Sequence, residues 1–425
     1  MYQVVSPVTL VRGRRERLRG GTAVPRVSWT VFLLGLTSLF TDISSEMVVT
    51  VLPLYLVYVG QFSPVAFGFV DGIQRGAAAL VGLASGFASD RFRRHKEVAA
   101  TGYGLSAVVK LGLATAGTAL TAISALVLVD RIGKGIRTAP RDAMISLSTP
   151  KEDLGAAFGV HRALDTTGAM LGPLLAFGVL AVAVNAYTAV FVVSFCIAVV
   201  GGGIIVLLVP RPRRDADRNG EVAQERVSLR EALVVVRVAR FRALVLAAGA
   251  LALATASDAF IFLVLQEKLD LSLGLFPLLF VGMTAVYMLL AVPLGRLADR
   301  VGRGRVLLGG YALLFGVYAA LLAPFGGPLL VAVALLLMGS YYAATDGVLA
   351  AFASALVPDP VRGSGLALLN TTTGVAKLLS SVAFGALWTL TGTTTALAVF
   401  GAGLLVAMGL AAVAFVRTRH DVAHV

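Results

Sequence analysis

The residues best equipped for chemistry are acids and bases set within otherwise apolar sequence. In FTDISSEM, Asp42 and Glu46 stand at i and i+4, which places both on one face of a helix. Two carboxylates that close repel when both are charged, so one of them is expected to hold a proton near neutrality, as a proton coupler must. The structural alternative is that one acid pairs with Arg131, Lys134 or Lys110 and fixes helix packing. A denser set lies in VDRIGKGIRTAPRDA, where Asp130, Arg131, Lys134, Arg137, Arg141 and Asp142 crowd the fifteen residues Val129 to Ala143. Asp130 and Lys134 are one turn apart, and Lys134, Arg137 and Arg141 continue that face. An ion-pair network and a coupling role for Asp130, Arg131 and Lys134 are both open. Further isolated charges stand at Asp71, Lys110, Arg162, Asp165, Asp258, Asp346 and Lys377. Arg162 and Asp165 are spaced for a pair within one helix, with a structural or gating role. His161 beside them is expected to serve as a local hydrogen-bond donor, with a proton relay as the second option.

The elements that must position these groups follow from composition. Of 425 residues, 58% are hydrophobic and only 14% charged, and the mean hydropathy is +0.88. Apolar runs of eighteen residues or more recur from Thr30 to Val416, each long enough to cross about 30 Å of hydrocarbon as a helix. Hydropathy, Gly, Pro and charge together predict twelve spans. They fall near 30–57, 62–88, 97–117, 120–145, 155–183, 187–209, 242–265, 272–296, 304–324, 327–355, 362–389 and 393–416. The expected organisation is a basic cytoplasmic tail over 1–29, a six-helix bundle over 30–209, a cytoplasmic linker over 210–241, a second six-helix bundle over 242–416 and a cytoplasmic tail over 417–425. The later part of the linker, Ser228 to Arg240, has the spacing of a helix lying on a membrane surface. Charges at bilayer depth are costly, so those named above must face protein or water and partner one another.

The net charge of +13 is distributed by topology. Arginines crowd the N-terminal tail, the segment Arg91 to Lys96 and the central stretch, while the intervening turns carry none except Lys268. This positive-inside bias predicts that both termini are cytoplasmic, in a bacterial or archaeal membrane. The basic patches are short and lack aromatic interleaving, which argues against nucleic acid as a partner. One cysteine, Cys196, excludes a disulfide framework, and His161 has no neighbouring cysteine or histidine, so no metal site and no cofactor are expected.

Two segments repeat. GFASDRFRRHK (Gly86 to Lys96) matches GRLADRVGRGR (Gly295 to Arg305), each after the second span of its half. Asp142 also precedes LDTTG (Leu164 to Gly168) much as Asp346 precedes LNTTTG (Leu369 to Gly374). In the repeated loop, an Asp–Arg pair where a helix ends can cap a neighbouring helix or pair with an arginine across an interface, holding one side shut until it breaks. Gly86, Asp90, Arg91 and Arg94, with Gly295, Asp299, Arg300 and Arg303, are the gating candidates.

These loops resemble the G-x-L-A-D-R-x-G-R-[RK] signature of the major facilitator superfamily. The second copy follows it closely, and the first departs at Ala88, Ser89 and Arg93. The resemblance implies an all-α membrane protein of twelve transmembrane helices in two pseudo-symmetric six-helix bundles around a central cavity, transporting by alternating access. Arg131-x-x-Lys134-Gly135 is similar to the family's fourth-span R-x-x-Q-G motif, with lysine for glutamine, which implies that Arg131 influences a proton-carrying carboxylate. Gly159, Gly168, Gly172 and Pro173 reproduce G-x8-G-x3-G-P, which resembles the fifth-span hinge signature of drug:proton antiporters; Ala176 and Phe177 replace its final glycine pair. By the same resemblance Asp258 and Asp346 lie on cavity-lining spans, with Tyr341 and Tyr342 as an aromatic surface for a ligand cation.

The reading is a secondary transporter, functional as a monomer, with a small-molecule substrate, protons and the lipid bilayer as partners, exporting a small organic solute or drug in exchange for protons. The alternatives are a symporter or uniporter of a metabolite, sugar or other solute, an anion included because of the fourth-span cations, or a non-transporting receptor or scaffold. No hydrolase elbow, phosphate loop or metal-binding helix occurs in a suitable context, so no enzyme is expected.

Overall fold

The computed structural model describes residues 28–92, 94–150, 153–183, 185–210, 238–357 and 362–420, and those residues contain helices and no strand. The expected basic tail and the linker helix lie outside the described residues. Thirteen helices follow in order: α1 Trp29–Leu54, α2 Pro64–Phe92, α3 His95–Thr115, α4 Leu120–Leu147, α5 Leu154–Val182, α6 Tyr187–Gly203, α7 Ala239–Leu253, α8 Asp258–Leu269, α9 Phe276–Val301, α10 Arg303–Leu322, α11 Pro328–Leu356, α12 Arg362–Thr391 and α13 Thr393–His420. Short π-helical turns, Tyr55–Val59 and Ile204–Leu208, extend α1 and α6. Counting α7 with α8, twelve span-like elements result. Ten of these are long and apolar enough to cross a membrane. The other two, α2 and α4, hold Asp71 and Arg75 and the six charges of the fourth span.

Local sequence explains the ends. Ser28 caps α1, its hydroxyl accepting from the Val31 amide. Proline opens α11 at Pro328, where its missing N–H costs nothing. Gly302, between α9 and α10, has φ 108°, a conformation that favours glycine. It is the glycine of the D-R-x-G-R loop, whose first copy has Arg93 instead.

The described chain gathers into two compact units, one from Val5–Tyr55 with Leu80–Gln224, the other from Leu56–Ala79 with Glu225–Val425. In the first, α1 packs on α5 and α6, and α3 on α4 and α6. In the second, α7 packs on α12 and α13, and α10 on α11 and α13. Numbered as spans within each half, these four pairings recur in both: first with fifth and sixth, third with fourth and sixth. The duplication read in the loops thus extends to which helices touch. In the first unit the α1–α5 contact runs over glycines. A Cβ on Gly168 would lie 2.5 Å from the Leu39 carbonyl oxygen, and one on Gly172 2.7 Å from that of Ile43. The second unit is centred on aromatic rings, with Phe260 4.8 Å from both Phe67 and Phe384, edge-on to the former.

The seventh span is not the continuous helix expected over 242–265. It breaks between Ala254 and Ser257, and α8 restarts with Ser257 as its cap, the hydroxyl accepting from the Phe260 amide. Side chains satisfy the freed backbone. The Tyr318 hydroxyl accepts from the Ala256 amide at 2.7 Å and donates to the Ala254 carbonyl at 3.2 Å. Ser380 donates to the Thr255 carbonyl at 2.6 Å. A break inside an apolar span is tolerated when neighbours supply such partners.

Candidate functional site

In the first unit the close α1–α5 approach sets the site. Asp42, buried on α1, and Asp165, buried on α5 one turn before Gly168, lie within electrostatic reach of each other. Arg137 of α4 lies 3.7 Å from Asp42 and stacks over the Tyr103 ring at 4.7 Å, and Lys134 is within electrostatic reach. Asp165 is also 3.2 Å from Arg162 and 4.0 Å from Arg141, and Arg141 pairs with Asp142 at 2.9 Å. Ser38 links this layer, contacting His161 Nε2 at 3.0 Å and accepting from Arg141 at 3.3 Å. The Arg162–Asp165 pair within α5 is present as its spacing predicted.

The acid that acts on Asp42 from a neighbouring helix is Asp165. Glu46 is half-buried on α1, and its backbone carbonyl accepts from Thr50. The i, i+4 spacing put both acids on one face, and both turns are pressed against α5, that of Asp42 near Gly168 and that of Glu46 near Gly172, where a built Cβ would lie 2.7 Å from the Glu46 Cβ. Asp130 also finds partners other than Lys134. It accepts from Lys110 at 3.1 Å and from Ser106, both on α3, and pairs with Arg131 beside it. Gly102 and Gly133 let α3 and α4 come together here, so a neighbouring helix supplies the cation expected from the next turn. Among the described residues, two buried guanidinium atoms, Arg131 Nε and Arg137 Nη1, have no hydrogen-bond partner.

The second unit holds another cluster. Arg75 lies 3.2 Å from Asp71, four residues earlier on α2, and 3.4 Å from Asp258 in the first turn of α8. Tyr342 donates to Asp258, and Ser381 donates to Asp71 at 2.5 Å. The Tyr341 ring packs 4.9 Å from Tyr342 and 5.4 Å from Tyr311. Both tyrosines are thus engaged within the protein rather than forming an open aromatic face. Asp346 lies within electrostatic reach of Lys377 and Asp258. Sequence reasoning passed over Arg75; the available signal was its i+4 spacing from Asp71 in an apolar helix.

In the second loop copy, Asp299 pairs with Arg303 at 3.3 Å, and Arg303 donates to the Ala351 carbonyl of α11 at 2.8 Å. The aspartate's partner is thus in its own loop. Arg300 closes α9, and a Cβ at Gly295 would meet nothing within 4 Å. In the first copy, Arg94 is exposed and precedes α3, while Gly86, Asp90 and Arg91 have side chains outside the described residues. In the fifth span, Gly168 and Gly172 are close-contact positions and Pro173 is buried inside α5. Gly159 faces open space, with nothing within 4 Å of a built Cβ.

The sequence profile of the Major Facilitator Superfamily matches residues 34–281 and 250–425. The chain belongs to this superfamily. A relative, an MFS-type transporter of Methanocaldococcus jannaschii, is 31% identical over 389 residues, covering 90% of this chain and 94% of that one. A protein of Mycobacterium tuberculosis is 34% identical over 205 residues, 47% of this chain and 49% of that one. Among solved structures, the nucleoside transporter NupG aligns with a TM-score of 0.75 at 15% identity over 91% of this chain and 99% of its own. A bacterial homologue of the human lysosomal transporter Spinster aligns with a TM-score of 0.72 at 14% identity over 92% and 98%. At these identities the structural likeness establishes the fold. Family and fold together make this chain an integral membrane secondary transporter of a small molecule, and not an enzyme.

Proposed function

We propose that transport by this chain is coupled to protons and that the Asp42–Asp165 pair carries the coupled proton during alternating access. The supporting observation is two buried carboxyls on different helices within electrostatic reach of each other, ringed by Arg137, Arg141 and Arg162. The pair can take up or release one proton, and either event changes what the surrounding guanidiniums can hold. Arg131, bound to Asp130 in the adjacent layer, acts on this pair through α4. The Asp299–Arg303 loop serves as a cytoplasmic gate, since the contact is exposed enough to break at little cost.

The export reading rests on the fifth-span glycine spacing, the Arg131 motif and the acid pair of the first span. Close α1–α5 packing accounts for Gly168 and Gly172, and Gly159 takes no part in it, so that spacing no longer favours exchange over cotransport. The test is flux in proteoliposomes offered a panel of organic solutes, with and without an imposed pH gradient. The gradient drives flux of at least one solute in the wild type and loses its effect in Asp42→Asn and Asp165→Asn. Equal gradient dependence in both variants refutes the reading.

A further inference from the structure

Among the described residues of the first unit, cations gather around Asp42. Around Asp42, the cations are Lys110, Arg131, Lys134 and Arg137, with Arg141 and Arg162 beyond. The acids are Asp42, Asp165, Asp130, Asp142 and Glu46. From the packed elements, α3 contributes Tyr103 and Lys110, α5 contributes His161, Arg162 and Asp165, and α6 contributes Ser194, bonded to Ser44. Unpaired charge is expensive in such a setting, and among the described residues Arg137 is the cation of this set most poorly satisfied. Arg137 is 3% exposed, and its Nη1 has no hydrogen-bond partner. Its contact with Asp42, at 3.7 Å, is longer than the Lys110–Asp130 pair at 3.1 Å and the Arg141–Asp142 pair at 2.9 Å. By contrast, Asp71 and Asp258 in the second unit are closed by Arg75, Ser381 and Tyr342.

We propose that the transported solute carries an anionic group, a carboxylate or phosphate, and that Arg137, with Lys134 one turn away, receives it once Asp42 has taken up a proton. This rests on the coupling reading above and adds the substrate class and the sign of coupling. Asp42 as carboxylate competes with the solute for Arg137. As carboxylic acid it hydrogen-bonds Asp165 and leaves the guanidinium free. Proton and anion then favour each other's binding and move in the same direction, which is cotransport.

The test uses the full-length chain purified in detergent, with thermal unfolding followed at mildly acid and mildly alkaline pH. The probes are benzoate, glycerol 3-phosphate, glycerol and tetraethylammonium. The expected result is stabilisation by benzoate or glycerol 3-phosphate, stronger in acid, and none by glycerol or tetraethylammonium; which anion acts separates the carboxylate and phosphate sources. Arg137→Gln weakens that binding on the order of tenfold to a hundredfold, the worth of one charged hydrogen-bonded contact. Asp42→Asn binds the anion equally at both pH values. Should Arg137→Gln fail to elute as a monodisperse species, the half-buried Lys134→Gln, expected to fold, must still weaken anion binding severalfold. Stabilisation by tetraethylammonium alone, by no anion, or by an anion to the same degree in the folded Arg137 and Lys134 variants overturns the proposal. Gradient-insensitive flux with intact Arg137-dependent anion binding defeats the coupling reading alone, and gradient-driven flux of cations defeats the anion assignment alone.

Discussion

Replacing Gly168 by alanine tests whether α1–α5 contact positions the carboxyl pair. An ideal Cβ there would sit 2.5 Å from the Leu39 carbonyl oxygen and 3.1 Å from the Leu39 Cα. Both are backbone atoms of α1, so no side chain can swing aside. An ordinary contact needs about 3.4 Å, so the helices must separate by about 0.9 Å at this level. Such overpacking costs about 1–3 kcal/mol. Because Asp165 lies one turn from Gly168, the same displacement pulls it from Asp42. Gly172→Ala meets the Ile43 carbonyl oxygen at 2.7 Å and the Met47 amide nitrogen at 3.1 Å, with a similar cost. Gly159→Ala is the control: a Cβ there meets nothing within 4 Å, and an unstrained helical alanine adds about 0.4–1 kcal/mol. Thermal unfolding in detergent should rank Gly159→Ala at or above wild type, with Gly168→Ala and Gly172→Ala clearly below. Proton-driven flux should fall in the latter two only. If Gly168→Ala unfolds with Gly159→Ala and keeps full flux, the α1–α5 contact does not position the pair.

Tyr318→Phe removes the hydroxyl serving the Ala256 amide and the Ala254 carbonyl in the broken seventh span. A loss of about 1–3 kcal/mol is expected, with faster hydrogen exchange at the Ala256 amide; unchanged exchange counts against the assignment. Arg75→Gln strands Asp71 and Asp258, lowering stability by up to about 3 kcal/mol. Adding Asp258→Asn should recover part of that loss in the same unfolding assay, and no recovery would show that the two do not interact. Asp299→Asn breaks a pair whose carboxylate side chain is 49% exposed. Stability should change by no more than about 0.5 kcal/mol, while the rate of opening, followed by single-molecule fluorescence, changes; an unaltered rate removes the gating role.

Much of the architecture was legible because the bilayer leaves few choices. Apolar runs of the right length had to become helices, and the repeated Asp-Arg loops at Asp90 and Asp299 marked the duplication that the helix pairings repeat. The site was legible only in part. Spacing along one helix correctly paired Arg162 with Asp165, because both partners lie on the same turn. It could not give the neighbours that Asp42 and Asp130 meet on other helices, Asp165 and Lys110, which are brought close by Gly168, Gly172, Gly102 and Gly133. A glycine in a hydropathy profile announces neither its neighbour nor the distance. The break after Ala254 was hidden for the same reason, since its hydroxyl partners, Tyr318 and Ser380, are remote in sequence. Arg75 was readable from Asp71 alone, but its second partner, Asp258, was not.

The most direct test of the account is infrared difference spectroscopy of the membrane-reconstituted chain across a pH titration, following the stretch of a protonated carboxyl group. A proton shared by Asp42 and Asp165 predicts one such band near neutrality that vanishes on raising the pH and is lost or shifted in both Asp42→Asn and Asp165→Asn, with Glu46→Gln leaving it in place. A band that survives both aspartate substitutions and disappears in Glu46→Gln would contradict the account.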